Sequence, residues 1–188
     1  EVEWKGFQLG GSLSLEWLPI TVRAVNVLEN YMSSSITLDT LPPSLKGLNL
    51  SENAFSGSLN LRNLPEKLEE LALNYNKFSG AVSLESLPES LKSLCLGDNS
   101  LTGSVCLTKL PEKMKYLFLN NNLFSGTVNV TQLPPRMRVL VLSRNAFFGE
   151  TDFGKLPRSM EDLHLAETKL SGTIHIHSFG TFFQNQNS

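Results

Sequence analysis

The sequence predicts an α/β solenoid, a stack of similar coils with a parallel β-sheet along one side and short extended and 3₁₀ segments along the other. Two observations carry this expectation. A Leu-Pro pair begins at Leu18, Leu41, Leu64, Leu87, Leu110, Leu133 and Leu156, always 23 residues apart, and one more step lands on Phe179. Within each period apolar residues hold fixed places and polar residues fill most of the rest, so self-similarity sets the architecture. The composition agrees, since 188 residues that are 40% hydrophobic and 18% charged fit one folded domain. The chain therefore divides into a half repeat over 1–17, repeats starting at 18, 41, 64, 87, 110, 133 and 156, and a cap over 179–188.

The opening EVEWKGFQLGGSLSLEW is in phase, with Val2, Trp4, Leu9, Leu13 and Leu15 on apolar places and Gly11 on the glycine place. In the unit starting at Leu64, Leu71 and Leu73 are two apart, so a short strand points them inward and turns Glu70, Ala72 and Asn74 outward. Asparagine holds place thirteen as Asn30, Asn53, Asn76, Asn99, Asn122 and Asn145. Its amide can satisfy turn backbone groups that would otherwise be buried unpaired. A glycine at place seventeen, such as Gly80, permits a bend into a second extended stretch whose inward residues are Val82 and Leu84. Proline after leucine suits the first turn of a helical piece, which predicts a 3₁₀ or α turn near residues 65 to 69.

The run Leu68-Glu69-Glu70-Leu71-Ala72-Leu73-Asn74-Tyr75-Asn76 resembles the LxxLxLxxN consensus of leucine-rich repeats, and the resemblance covers nearly the whole chain. The following Phe78 to Leu84 is similar to the plant-type L-x-G-x-I variant, while the Leu-Pro-x-x-Leu linker is closer to protozoan repeats. The resemblance implies a right-handed superhelix with the parallel sheet on its concave side and outward strand places that bind protein partners.

Magnitudes require the units to stack. Seven apolar side chains at roughly 1.5–3 kcal/mol each cannot offset about 1–2 kcal/mol of backbone entropy per residue of one coil. Neighbours must share strand hydrogen bonds and one core, giving an array roughly 35–40 Å long at about 4.8 Å per strand. The ends depart from the pattern: Phe7 and Thr168 replace the place-thirteen asparagine, and Phe179, Phe182 and Phe183 precede a polar QNQNS tail. These phenylalanines are expected to cap the open core.

A formal net charge of −2 gives no general attraction to nucleic acid or anionic lipid. There is no apolar run long enough for a membrane helix, so membrane insertion is not expected. Glu1 stands first and the chain opens within a repeat, which predicts an excised or processed piece. Two cysteines, Cys95 and Cys106, lack the clusters of many secreted repeat domains and lean toward an intracellular location as free thiols. The sequons Asn49-Leu50-Ser51 and Asn129-Val130-Thr131 keep a secreted or surface location open.

The outward column at place nine reads Glu3, Asn26, Asn49, Ala72, Cys95, Phe118, Val141 and His164, and the place-seven column includes Tyr116 and Val139. Aromatic and aliphatic clusters of this kind mark protein-binding surfaces. The expected partner is a protein or peptide, with Cys95, Tyr116, Phe118, Val139 and Val141 as the apolar patch and Asn120, Asn121, Arg144 and His164 as polar neighbours. Glu29, Glu52, Glu70, Asp98, Asp162 and Glu167 could form an acidic rim. The turns carry Lys92, Lys113, Lys115, Arg136, Arg138 and Arg158, weakened as an anion ridge by Glu89, Glu112 and Glu161, and no nucleic-acid motif accompanies them. His175 and His177 share one side of an extended segment, but no nearby residues complete a metal site. No catalytic residue and no cofactor are expected: no phosphate-binding glycine loop or nucleophile elbow occurs, and Cys95 and His164 sit three coils apart, roughly 14 Å by strand spacing. The expected function is a non-catalytic binding scaffold. Alternatives are the sensing or targeting segment of a larger receptor or enzyme, and a surface structural segment of antigen-like type.

Overall fold

The computed structural model describes residues 1–173, and each coil within them gives one strand to each of two sides. The half coil contains β1 (Val2–Glu3) and β2 (Gly10–Gly11), coil one β3 (Ala24–Asn26) and β4 (Tyr31–Met32), and coil two β5 (Gly47–Asn49) and β6 (Ser56–Gly57). Coil three follows with β7 (Glu70–Ala72) and β8 (Lys77–Ala81), coil four with β9 (Ser93–Cys95) and β10 (Ser100–Gly103), and coil five with β11 (Tyr116–Phe118) and β12 (Leu123–Gly126). Coil six has β13 (Val139–Val141) and β14 (Ala146–Asp152), and coil seven β15 (Asp162–His164) and β16 (Lys169–Thr173). The first strands of all coils form one eight-stranded parallel sheet in chain order. Six of the second strands, β6 to β16, form a second parallel sheet, and β2 pairs with β4 beside it.

The inward residues are where the periodicity put them. Leu71 is 1% exposed and Leu73 0%, and Val82 and Leu84 are buried with them, so one apolar column fills the space between the sheets. Place fifteen supplies the largest buried groups, Phe55, Phe78, Phe124 and Phe147, and the last two stack at 6.1 Å between ring centroids with planes 8° apart. Rings in this offset range add to the burial of their area.

Register differs between the sheets. In the eight-stranded sheet equal places face each other, as Tyr116 opposite Val139, whereas on the other side place sixteen faces place fourteen of the next coil, as Thr102 opposite Leu123. The asparagine ladder follows the same stagger. Asn76 Oδ1 accepts from Phe55 N in the preceding coil at 3.0 Å, and its Nδ2 donates to Leu50 O at 2.9 Å and to Leu73 O and Asn74 O in its own turn. Asn30, Asn53, Asn99, Asn122 and Asn145 bond in the same way. Thr168 does part of this work with one hydroxyl, donating to Leu165 O at 2.7 Å and accepting from Leu170 N at 3.4 Å.

Two details sharpen the sequence expectation. The turn expected after Leu64 is a single turn of the 3₁₀ type, closed by Leu68 N to Pro65 O at 2.9 Å, and every Leu-Pro step repeats it, as Leu91 N to Pro88 O and Met114 N to Pro111 O show. The proline fixes the first corner, but the chain must enter the next strand two residues later, leaving no room for a second helical bond. Longer 3₁₀ segments lie just before two of the Leu-Pro steps, at Leu15–Trp17 and Phe153–Lys155, and among the described residues these are the only helical segments. At the place-seventeen glycine β6, β10 and β12 end, as the expected bend requires, while β8, β14 and β16 run through it. Gly126 lies at the end of β12 with φ +90°, and a Cβ there would stand 3.2 Å from Ser104 Cβ of the preceding coil, so the glycine serves close approach within the second sheet. The expected phenylalanine cap over 179–188 lies outside the described residues, as do His175 and His177.

Candidate functional site

The patch foreseen in coils four to six is assembled by parallel pairing. Phe118 of β11 lies between Cys95 of β9 and Val141 of β13, and Tyr116 lies between Ser93 and Val139. All five patch residues are half-buried, because each leans on its cross-strand neighbours while its outer side meets solvent. Leu94, Leu117 and Leu140 beneath them are fully buried, which fixes the strands that carry the patch. Burial pushes the Cys95 thiol above its ordinary value, the negative charge of Glu70 adds to this, and the Ser93 hydroxyl only partly opposes it. The thiol stays protonated at neutral pH and behaves as a small apolar group.

The polar neighbours are already engaged with one another. Asn120 Nδ2 donates to Asp98 Oδ2 at 3.0 Å and Asn121 Nδ2 to Asp98 Oδ1 at 2.6 Å, so one carboxylate is clamped by two amides. Gly97 makes this possible, since a Cβ there would stand 2.6 Å from Asn120 Oδ1. Arg144 Nε donates to Glu167 Oε1 at 2.9 Å, and the glutamate holds its guanidinium proton more firmly. Arg138 binds Glu161 and its Nη1 donates to the Tyr116 hydroxyl at 3.3 Å, tying the edge of the patch to the charged ridge. His164 is exposed beside Val141.

One structural feature of this rim has no sequence signal. Glu29, Glu52, Tyr75, Asp98, Asn121, Arg144 and Glu167, all at place twelve, have φ between 50° and 60°. Side chains other than glycine cost about 1–2 kcal/mol in this left-handed region. The backbone bonds of the turn hold them there, as Asp98 N to Asn120 O at 2.9 Å and Asn99 N to Asn121 O at 3.2 Å illustrate. Four of the acidic rim residues thus sit at one turning point of successive coils.

Against solved structures the same architecture recurs. The Arabidopsis receptor kinase HAESA LRR ectodomain, solved with an N-terminally extended IDA peptide hormone ligand, aligns over 88% of this chain and 29% of that one at 24% identity and a TM-score of 0.69. The chain has the leucine-rich-repeat fold. A pollen receptor kinase 3 aligns over 85% of this leucine-rich-repeat chain and 80% of its own at 24% identity and a TM-score of 0.55. A plant ice-binding protein aligns over 88% and 64% at 22% identity and a TM-score of 0.58. No protein-family model matches the chain, and no curated protein does.

Elsewhere on this leucine-rich-repeat stack the charged ridge is neutralised between coils. Glu69 lies between Lys46, at 3.1 Å, and Lys92, and hydrogen bonds from Lys92 and then Lys46 hold its carboxyl below the ordinary value. Place sixteen of the second sheet carries short hydroxyls at Ser56, Ser79, Thr102 and Ser125 and then exposed Phe148, and exposed Leu123 stands at place fourteen, two coils' worth of apolar surface against the five clustered residues of the first sheet. Cys95 and Cys106 are both unpaired. Among the described residues no three His, Cys, Asp or Glu side chains gather to hold a metal, and no helix is long and apolar enough to cross a membrane.

Proposed function

We propose that this leucine-rich-repeat chain is a non-catalytic scaffold that binds a protein or peptide on the outer face of its eight-stranded sheet. The single observation behind this reading is the contiguous half-buried surface of Cys95, Tyr116, Phe118, Val139 and Val141 on a rigid, fully paired sheet. Rigid aromatic anchors lose little conformational freedom on binding, and their apolar area is the main source of affinity. The frame of Asn120, Asn121, Arg144 and His164 would supply directional contacts, with Asp98 and Glu167 presetting three of those four side chains. HAESA, which has the same fold, is complexed with the peptide hormone IDA and the co-receptor SERK1, which supports a protein or peptide partner.

The test compares affinity capture from native material by the wild-type chain and by a Tyr116→Asp plus Phe118→Asp variant shown by circular dichroism to be folded. The variant is expected to lose the specific partners. Unchanged capture would remove the patch from the binding site and with it this reading.

A further inference from the structure

The fold treats the two Asn-X-Ser/Thr triplets in opposite ways. Ser51 is 2% exposed and its hydroxyl donates to Asn74 Oδ1 at 2.7 Å. Asn49 is half-buried in β5, flanked by Asn26 and Ala72 of the adjoining strands. An enzyme that reads both side chains of this triplet finds the hydroxyl inside the stack. Asn129 and Thr131, by contrast, are both exposed, while Val128 and Val130 between and beside them are 3% and 0% exposed. The alternation turns the asparagine and the hydroxyl outward together.

Both asparagines accept from the backbone two residues on, as Ser51 N to Asn49 Oδ1 at 3.0 Å shows, and the hydroxyl bond is what distinguishes them. Asn129 Oδ1 accepts from Thr131 N at 2.9 Å and from Thr131 Oγ1 at 2.7 Å. The carbonyl is thus occupied twice, and among the described residues nothing accepts from Asn129 Nδ2. Val128 and Val130 pack into the core from this side, and β11 bounds the same coil on the other, so Asn129 lies across the core from Tyr116 and Phe118.

We propose that Asn129 is an N-glycan acceptor and that Asn49 is not. The donor is a lipid-pyrophosphate-linked oligosaccharide and the catalyst a membrane oligosaccharyltransferase. Asn129 Nδ2 forms a bond to the anomeric carbon, the bond from that carbon to the pyrophosphate oxygen breaks, the lipid pyrophosphate leaves and Nδ2 gives up one proton, with no change of oxidation state. A bulky, hydrated glycan at Asn129 displaces no contact of the fold and leaves the eight-stranded sheet uncovered. This inference stands on the two triplets alone and does not depend on the binding reading.

The test expresses the full chain behind a cleavable secretion leader in a eukaryotic cell. Intact mass is measured before and after treatment with a peptide N-glycosidase, for the wild type, Asn129→Gln, Thr131→Ala and Asn49→Gln. Peptide mapping of the treated wild type identifies the acceptor directly, because a deglycosylated asparagine reads as aspartate, so the assignment does not rest on a variant that folds poorly. The expected result is one glycan, mapped to Asn129, lost in Asn129→Gln and Thr131→Ala and kept in Asn49→Gln. A wild type with no glycosidase-sensitive mass, or a glycan mapped to Asn49, overturns the proposal.

Discussion

Asn122 is 7% exposed and makes four hydrogen bonds: it accepts from Leu101 N and donates to the carbonyls of Leu96, Leu119 and Asn120. Alanine in its place leaves the Leu101 N–H and the Leu96 carbonyl facing a dry core. A buried unpaired group costs about 1–3 kcal/mol, so Asn122→Ala is expected to lower stability by about 3 kcal/mol in urea unfolding. A loss under about 1 kcal/mol would show that water or a turn rearrangement replaces the amide. Asn122→Thr is expected to fall between the two, because Thr168 shows a hydroxyl keeping one of these four bonds, that to the carbonyl three residues back, in coil seven. The ladder also explains the unusual backbone at place twelve: bonds on both sides of Asp98 over-determine the turn, so no glycine is needed there.

At the scale of strands, two glycines separate conformation from mere smallness. Gly126 has φ +90° and Ser104 Cβ 3.2 Å from its own missing Cβ, whereas Gly47 in β5 has open space around that position and an ordinary φ. Gly126→Ala is expected to destabilise by more than about 1 kcal/mol, and Gly47→Ala to be neutral or stabilising by up to about 1 kcal/mol. Equal urea midpoints for the two variants would contradict the role given to the second-sheet glycines. Cross-coil charge gives a pH signature. The Glu69 carboxyl, ordinarily near 4.5, is lowered by Lys92 and Lys46. Its ion pairs therefore contribute stability above the unfolded value and lose it as pH falls through the lowered folded value. The difference in urea midpoint between wild type and Glu69→Gln should shrink as pH drops below about 4.5 and shrink also in high salt. A difference that stays constant with pH would mean that the lysines do not bind Glu69 in solution.

Elements also show what the sequence could reveal. The strands were legible because Leu71 and Leu73 alternate with outward residues, and the asparagine ladder because one residue type recurs at one place. The turn after Leu64 was legible from its proline, but not that it stops after one bond, since proline marks a corner without stating how many bonds follow it. The second sheet was seen only as extended stretches, because Lys77-Phe78-Ser79-Gly80 carries a single inward apolar residue and pairing lies in backbone contacts. Of the candidate site, the columns were legible, but the clamp of Asn120 and Asn121 on Asp98 was not. It depends on rotamers and on the missing side chain at Gly97.

Across the whole molecule, packing runs only between adjoining coils, as in a one-dimensional array. Such an array tolerates loss of a whole repeat and fails on loss of a fraction. Deleting residues 41–63 joins Thr40 to Leu64 and keeps every apolar place in phase. Asn76 Nδ2, which now donates to Leu50 O, would reach Val27 O as Asn53 does at 2.8 Å. Glu69 would meet Arg23 in place of Lys46, so the ridge keeps alternating sign at that junction. The shortened chain is expected to keep the far-ultraviolet spectrum of the parent and to unfold with a smaller urea slope, in proportion to the surface it no longer buries. The patch from Cys95 to Val141 lies outside the deletion, so partner capture should survive. Deleting residues 41–52 removes about half a period and turns the inward leucines of one side to solvent, so that chain should not fold. If both deletions unfold alike, stability is not a sum of nearest-neighbour interfaces and the coils fold as one indivisible unit.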